Sequence, residues 1–233
     1  GNKYLYEGPY HYGERIRWDK DSLHVIMSCT KSVVSACIGI AVDKGFIKDI
    51  NESILNYLPE HRHYKKGGKG DITIEHLLTM SSGLEFDEWS TTHGSSVNDI
   101  DRINWECQDD PVACVLDRSM KHQPGEKFNY LSFNTHLLSV ILARASGMSL
   151  VAYTQQVLFS PLAIEPVIWQ QDPQGHYIGG WGLSLTARDM ATFGLLYLNK
   201  GKIGPVQIVP SDWVERSTTE RSGMVGTYYS RWD

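Results

Sequence analysis

The sequence is short of the features that mark a disulfide-stapled, membrane-spanning or nucleic-acid-binding chain. Four cysteines in 233 residues (Cys29, Cys37, Cys107 and Cys114) are too few for a disulfide scaffold. Lys and Arg number 22 against 27 Asp and Glu, a net charge of −5. With no basic surplus, no nucleic-acid partner is expected. The longest apolar run, over 33–42, is broken by Ser35 and Gly39. It falls short of the roughly 20 residues that a membrane helix needs, so no membrane span is expected. No internal repeat is present. H-E-x-x-H and G-x-S-x-G are both absent, which removes the signatures of zincins and α/β-hydrolases. His61 and His63 lack further ligands at a suitable spacing, so a solvated loop is the better reading than a metal site.

What is present suits a folded globular chain. Hydrophobic residues make up 41% and charged residues 21%, unlike a disordered segment. The length allows one large domain or two small ones. The first residue is Gly1, and no compartment is legible from that end; cytoplasmic and periplasmic or secreted locations both stay open.

Residues 3–7 (KYLYE) predict a strand that turns at Gly8-Pro9, and 15–19 and 23–27 predict two more short strands. From Ser32 to Lys44 the residues are apolar or small almost all round, which predicts a buried helix stopped by Gly45. Asn51 is positioned to cap a short helix that Pro59 ends. Residues 61–69 (HRHYKKGGK) predict a solvated loop. Thr73 caps a helix over 74–80, and Asp110-Pro111 opens one to about Leu116. A helix over 135–145 is closed by Gly147, and one capped by Ser149 ends before Pro161. Thr186 and Asp189 form a capping box for a helix to Leu198, and Pro210-Ser211 opens one more. The polar stretch 85–110 has no clear period and predicts a long loop lining a site. The order implies an α+β chain: a sheet lobe from 1–44 and 200–233, and a mainly helical lobe over 45–199 inserted between them.

Ser28-Cys29-Thr30-Lys31 is an S-x-x-K, a pattern that chance supplies about once in a chain of this composition. Its setting is what gives it weight. It stands where a strand-like piece meets the buried helix, and a Ser and a Lys three apart lie one above the other on a helix. A helix N-terminus favours a developing anion. Partial desolvation lowers a lysine pKa and equips it as a base. The alternative is a plain N-cap serine beside a surface lysine. Tyr130, at a loop-to-helix junction, is either a proton carrier or an ordinary half-buried tyrosine. Cys29 and Cys37 read as small packing residues, and the pairing of Cys107 with Cys114 is left open. Trp89, Trp105, Trp169 and Trp181 either line a cleft or pack the core. Gly179-Gly-Trp-Gly182 lets backbone pack closely near the cleft. Asn51-Glu-Ser53 is a formal glycosylation sequon, with meaning only in a eukaryotic secretory pathway.

Taken together, the S-x-x-K and the blocks 27–32 (MSCTKS), 74–83 (IEHLLTMSSG), 124–130 (PGEKFNY), 136–139 (HLLS) and 186–190 (TARDM) resemble the serine β-lactamase and penicillin-binding-protein superfamily. They are most similar to its class C and esterase-like branch, which includes 6-aminohexanoate-dimer-hydrolase-like serine hydrolases. The resemblance implies an α+β, β-lactamase/transpeptidase-like fold treated as one domain over 1–233. It implies a serine hydrolase with Ser28 as the acylated nucleophile, Lys31 as its activator and Tyr130 as proton shuttle. The Ser28 backbone N–H would be one oxyanion donor. It implies no metal or organic cofactor, and a small ester or amide as substrate. Where the second motif of β-lactamases ends in Asn, this chain has Ser132, expected to offer a shorter hydroxyl to the substrate. That favours an ester or small amide over a β-lactam.

No K-[ST]-G occurs, and the third motif is expected to follow Trp232, with the C-terminal part of the sheet. The chain accordingly reads as a fragment, expected to be poorly active and unstable by itself. The readings in competition are a non-catalytic binding or scaffold relative, and a β-lactamase or D,D-peptidase. Glu52-Ser-Ile-Leu-Asn56 is similar to the class A deacylation motif, but it precedes Tyr130 and reads as the start of a short helix.

Overall fold

In the computed structural model, residues 19–220 apart from 96 and 166 are described. In chain order the elements are β1 (His24–Val25), α1 (Thr30–Asp43), α2 (Ile74–Leu78), α3 (Asp99–Glu106), α4 (Pro111–Asp117), α5 (Ser132–Ser146), α6 (Leu150–Thr154), β2 (Ile168–Trp169), β3 (Leu183–Leu185), α7 (Ala187–Leu198), β4 (Lys202–Ile203), β5 (Val206–Gln207) and α8 (Ser211–Thr218). Short 3-10 turns link several of them.

The core is organised on α1. Its apolar residues run all round, so no face is left for water. Val34, Ala36, Cys37 and Ile38 are fully buried. A Cβ on Gly39 would stand 2.3 Å from the Trp213 indole, so only glycine lets α8 lie against α1. Helix α5 packs against α1, and every residue from Ser132 to Leu142 is buried. Two capping boxes start helices. Thr73 and His76 cap α2, and Thr186 and Asp189 cap α7, the latter as the sequence predicts.

The three-stranded sheet has the order β1-β3-β2 and is antiparallel throughout, with Val25 opposite Ser184 and Trp169 opposite Leu183. The partners of β1 therefore lie within 45–199, the stretch expected to be helical. Short, glycine-flanked strands such as Leu183–Leu185 carry too little periodicity to announce themselves. Lys202–Ile203 and Val206–Gln207 form a separate hairpin. The expected strand at 3–7 lies outside the described residues, as does nearly all of that at 15–19.

Three local expectations are corrected. Residues 59–65 form a 3-10 helix rather than a loop, started by Pro59, with His61 buried between Glu60 and Asp110. Asn51 does not cap a helix. Its amide donates to Asp49 at 2.9 Å, and the only turn there is the 3-10 piece Ile54–Asn56. The helical path after Ser149 runs through a π turn (Gln155–Phe159) into a 3-10 turn that includes Pro161, instead of ending before it.

Cys107 and Cys114 are joined, tying the end of α3 to α4. Closing so short a loop removes unfolded-state freedom worth about 2 kcal/mol. A C107S/C114S variant is expected to lose about that much in a urea melt. An unmoved midpoint would show the bridge to be neutral.

Candidate active site

Strand β1 delivers the chain to an exposed corner. Ile26 N–H donates to the Leu183 carbonyl at 2.9 Å, and Met27 then takes a left-handed conformation (φ 48°) before the 3-10 turn Met27–Cys29. A non-glycine residue there costs roughly 1 kcal/mol or more and must be held by its surroundings. The hold comes from Thr30, fully buried, whose hydroxyl donates to the Met27 carbonyl at 2.7 Å. The result is Ser28 exposed at the entry of the buried helix α1. Cys29 is exposed beside it rather than packed, while Cys37 is buried as expected.

One turn along, the Lys31 ammonium meets three oxygens. Nζ is 3.0 Å from Ser28 Oγ, 2.9 Å from Ser132 Oγ and 2.6 Å from the Gly180 carbonyl. Burial pushes its pKa down from the ordinary lysine value to about 8, opposed by the charges of Glu88 and Cys29. Nζ also lies 4.9 Å from the centre of the Tyr130 ring. That ring is held edge-on by Trp89 at 5.7 Å. Ser28, Lys31, Tyr130 and Ser132, named from the sequence, thus gather around one amine.

Ser132 sits differently from the expectation that it faces substrate. It is 3% exposed, because it opens α5 inside the molecule. Its hydroxyl donates to Glu88 Oε1 and its backbone N–H to Glu88 Oε2, both at 2.7 Å, while Lys31 donates to its oxygen.

Glu88 is the residue that sequence reasoning missed. It is 4% exposed. Burial raises its pKa, against the lowering effect of the Ser132 hydrogen bonds, Lys31 and His93. Its only sequence signal is membership of the polar stretch 85–110. Two amides fix that stretch: the buried Asn98 Nδ2 donates to the Glu88 carbonyl at 3.0 Å, and the half-buried Asn129 Nδ2 to the Phe86 carbonyl at 3.0 Å.

The glycines of 179–182 close the site. A Cβ on Gly179 would fall 2.2 Å from the Thr135 carbonyl, and one on Gly180 2.5 Å from that of Ser132. Side chains at these positions would force the segment off the first turn of α5 and carry away the carbonyl that orients Lys31. If Lys31 acts on Ser28, Gly180→Ala is expected to slow acylation of Ser28 about 10²-fold, the scale of a misplaced group, with a smaller loss of stability. An unchanged acylation rate would show that this carbonyl does not orient the amine.

The tryptophans divide. Trp89 and Trp105 are both 44% exposed, whereas Trp169 is buried and donates to the Ile178 carbonyl. Trp181 packs edge-on against Phe133 and lines a cavity of about 400 Å³ with Phe133, His136 and Asp172. His136 and His176 both pair with Asp172, which holds that carboxyl well below the usual range. Glu52 accepts from the Tyr57 hydroxyl at 2.8 Å. No cluster of three metal-ligating side chains occurs among the described residues.

Residues 1–230 match the Beta-lactamase family model. The 6-aminohexanoate-dimer hydrolase of Paenarthrobacter ureafaciens is 27% identical over 201 residues, covering 84% of this chain and 50% of the relative. The match spans half of that relative's length and 30% of the length of the Staphylococcus aureus protein flp, which is 24% identical over 68% of this chain. Two solved structures share the fold. A 6-aminohexanoate-dimer hydrolase candidate from Bacillus anthracis superposes with a TM-score of 0.73 at 24% identity, covering 87% of this chain and 55% of that one. A D-stereospecific amidohydrolase from Streptomyces gives 0.64 at 18%, covering 88% and 69%. An exposed serine paired with a desolvated lysine, on this fold and with a family match along almost its whole length, leads to one conclusion: the chain belongs to the beta-lactamase family.

Proposed function

We infer that the chain carries the acylation centre of a serine hydrolase acting on an ester or small amide. The observation that carries this reading is the 3.0 Å approach of Lys31 Nζ to Ser28 Oγ, with the amine's pKa brought down to about 8 by burial. A neutral Lys31 accepts the Ser28 proton as Oγ attacks the carbonyl carbon. The tetrahedral intermediate collapses with cleavage of the carbon–oxygen or carbon–nitrogen bond. The leaving alcohol or amine takes up a proton through Tyr130, whose ring is already seated against Lys31. Water then attacks the acyl-enzyme, giving up its proton through the same pair, and frees the acid and Ser28. The helix start at Ser28, with its backbone N–H, favours the developing oxyanion.

The substrate class rests on Ser132. Its hydroxyl is engaged by Glu88 and Lys31, so this position extends no amide towards a β-lactam side chain. A relative named for the hydrolysis of an aminohexanoate dimer and a fold neighbour named as an amidohydrolase lend weight to an amide. The test is intact-mass spectrometry after exposure to a fluorophosphonate, with peptide mapping of the adduct. A single adduct on Ser28 is expected; a folded chain left unlabelled would overturn the reading. Nitrocefin turned over much faster than a short-chain nitrophenyl ester would overturn the substrate class.

A further inference from the structure

Three oxygens are described within hydrogen-bond distance of the Lys31 amine, but a base needs one of them to be a donor to it. A neutral amine has two N–H bonds and one lone pair. Which neighbour faces the lone pair depends on which hydroxyl protons are already committed.

Gly180 offers a carbonyl and can only accept. Ser28 and Ser132 are hydroxyls and can do either. The Glu88 carboxylate settles Ser132. Both carboxylate oxygens are acceptors, at 2.7 Å from the Ser132 N–H and from its O–H. The Ser132 proton is therefore spent on Glu88, and only its lone pairs face Lys31. With two of its neighbours fixed as acceptors, the neutral amine donates both N–H bonds to them and has its lone pair left for the Ser28 O–H.

We propose that Glu88 is a positioning residue for the nucleophile: its buried carboxylate fixes the polarity of the Ser132 hydroxyl, and through it aims the Lys31 lone pair at Ser28. This rests on the Ser28–Lys31 reading above. The charged and titratable groups that face the pair are Cys29 and Tyr130 at Lys31, and His93 at Glu88.

The decisive comparison is Glu88→Gln against Glu88→Asp. Gln is isosteric, but its carbonyl is held by the Ser132 N–H, and its NH2 then donates to Ser132 Oγ. That reverses the hydroxyl, which now donates to the Lys31 lone pair. Asp is shorter but keeps two acceptors. If polarity matters, Gln is the worse substitution; if Glu88 only fills space, Asp is.

The measurement is the pH dependence of fluorophosphonate labelling on the 233-residue chain, with folding checked by circular dichroism. Glu88→Gln is expected to lower the high-pH plateau by about 10²-fold, the usual size of a lost base. Glu88→Asp is expected to recover a good part of it. In a Ser132→Ala background the Gln substitution is expected to change the plateau by less than about twofold, because the relay is already gone. A Gln plateau equal to wild type, Asp worse than Gln, or a full additional loss on Ser132→Ala would each overturn the proposal.

A readout independent of activity keeps it separate from the proposed reaction. In chain labelled with ¹³Cε-lysine, the Lys31 resonance (assigned by its loss in Lys31→Arg) is expected to titrate with a roughly tenfold larger acid dissociation constant in Glu88→Gln. A Lys31 titration that ignores Glu88→Gln overturns the proposal, whether or not Ser28 is labelled. An unlabelled wild type with a shifted Lys31 would instead refute the acylation reading and leave the coupling standing.

Discussion

Ser28→Ala is expected to abolish the fluorophosphonate adduct and to cut hydrolysis of a short-chain ester by about 10⁴-fold or more. The size follows from its role. In the proposed reaction the other groups around the site act only on a proton or a charge, whereas Oγ forms the bond, and no second hydroxyl is placed to replace it. Ser132 is near the same amine, but it is buried and its proton belongs to Glu88. Removing one member of such a unit costs nearly as much as removing all of it. The fold should survive, because Ser28 is exposed and Lys31 retains Ser132 and the Gly180 carbonyl. Far-ultraviolet circular dichroism should match wild type. A Ser28→Ala chain that is still labelled once, or that hydrolyses ester at more than a hundredth of the wild-type rate, would place the nucleophile elsewhere.

Lys31→Met carries the second large effect, a fall of about 10³-fold in acylation, within the range for a positioned base. Its pH profile is the more telling readout. In the wild type the reactive form is the neutral amine, so labelling should rise tenfold per pH unit and level off above about 8, where the Lys31 amine titrates. In Lys31→Met that limb should vanish. The same burial makes an opposite prediction for stability. The folded-state pKa is depressed below the ordinary value of 10.5, so the lysine disfavours the fold when both states are protonated. That cost is relieved as pH rises from about 8 towards 10.5. Lys31→Met is therefore expected to raise the Tm at pH 7 while destroying activity, the trade expected of a residue kept for chemistry. A methionine variant with wild-type pH dependence, or one less stable at pH 7, would show that Lys31 is not a desolvated base.

The family and the axis of the site were legible because they rest on local patterns. A helix apolar on every side has only one place to go, and α1 is buried as its composition requires. The Thr186–Asp189 capping box and the Asp110-Pro111 helix start are likewise short-range hydrogen-bonding patterns, and the structure has both. Ser28 and Lys31 are three apart on one helix, so their meeting needs no tertiary information beyond the helix itself.

What the tertiary structure decided is everything that acts across sequence distance. Lys31 meets Ser132 across 101 residues and Gly180 across 149. The strands paired with His24–Val25 come from a region that reads as helical, because two or three residues cannot show a period. Glu88 is one acid among many in a polar stretch. What sets it apart is burial, and burial belongs to the fold, here to the Asn98 amide within its own loop, the more distant Asn129 amide, and the start of α5 that it faces. Sequence by itself named the side chains that the structure brings to one corner: a hydroxyl, an amine and a phenol. The tertiary structure alone decided which partners they meet, because Ser132, Gly180 and Glu88 reach the Ser28–Lys31 corner from positions that no local pattern brings together.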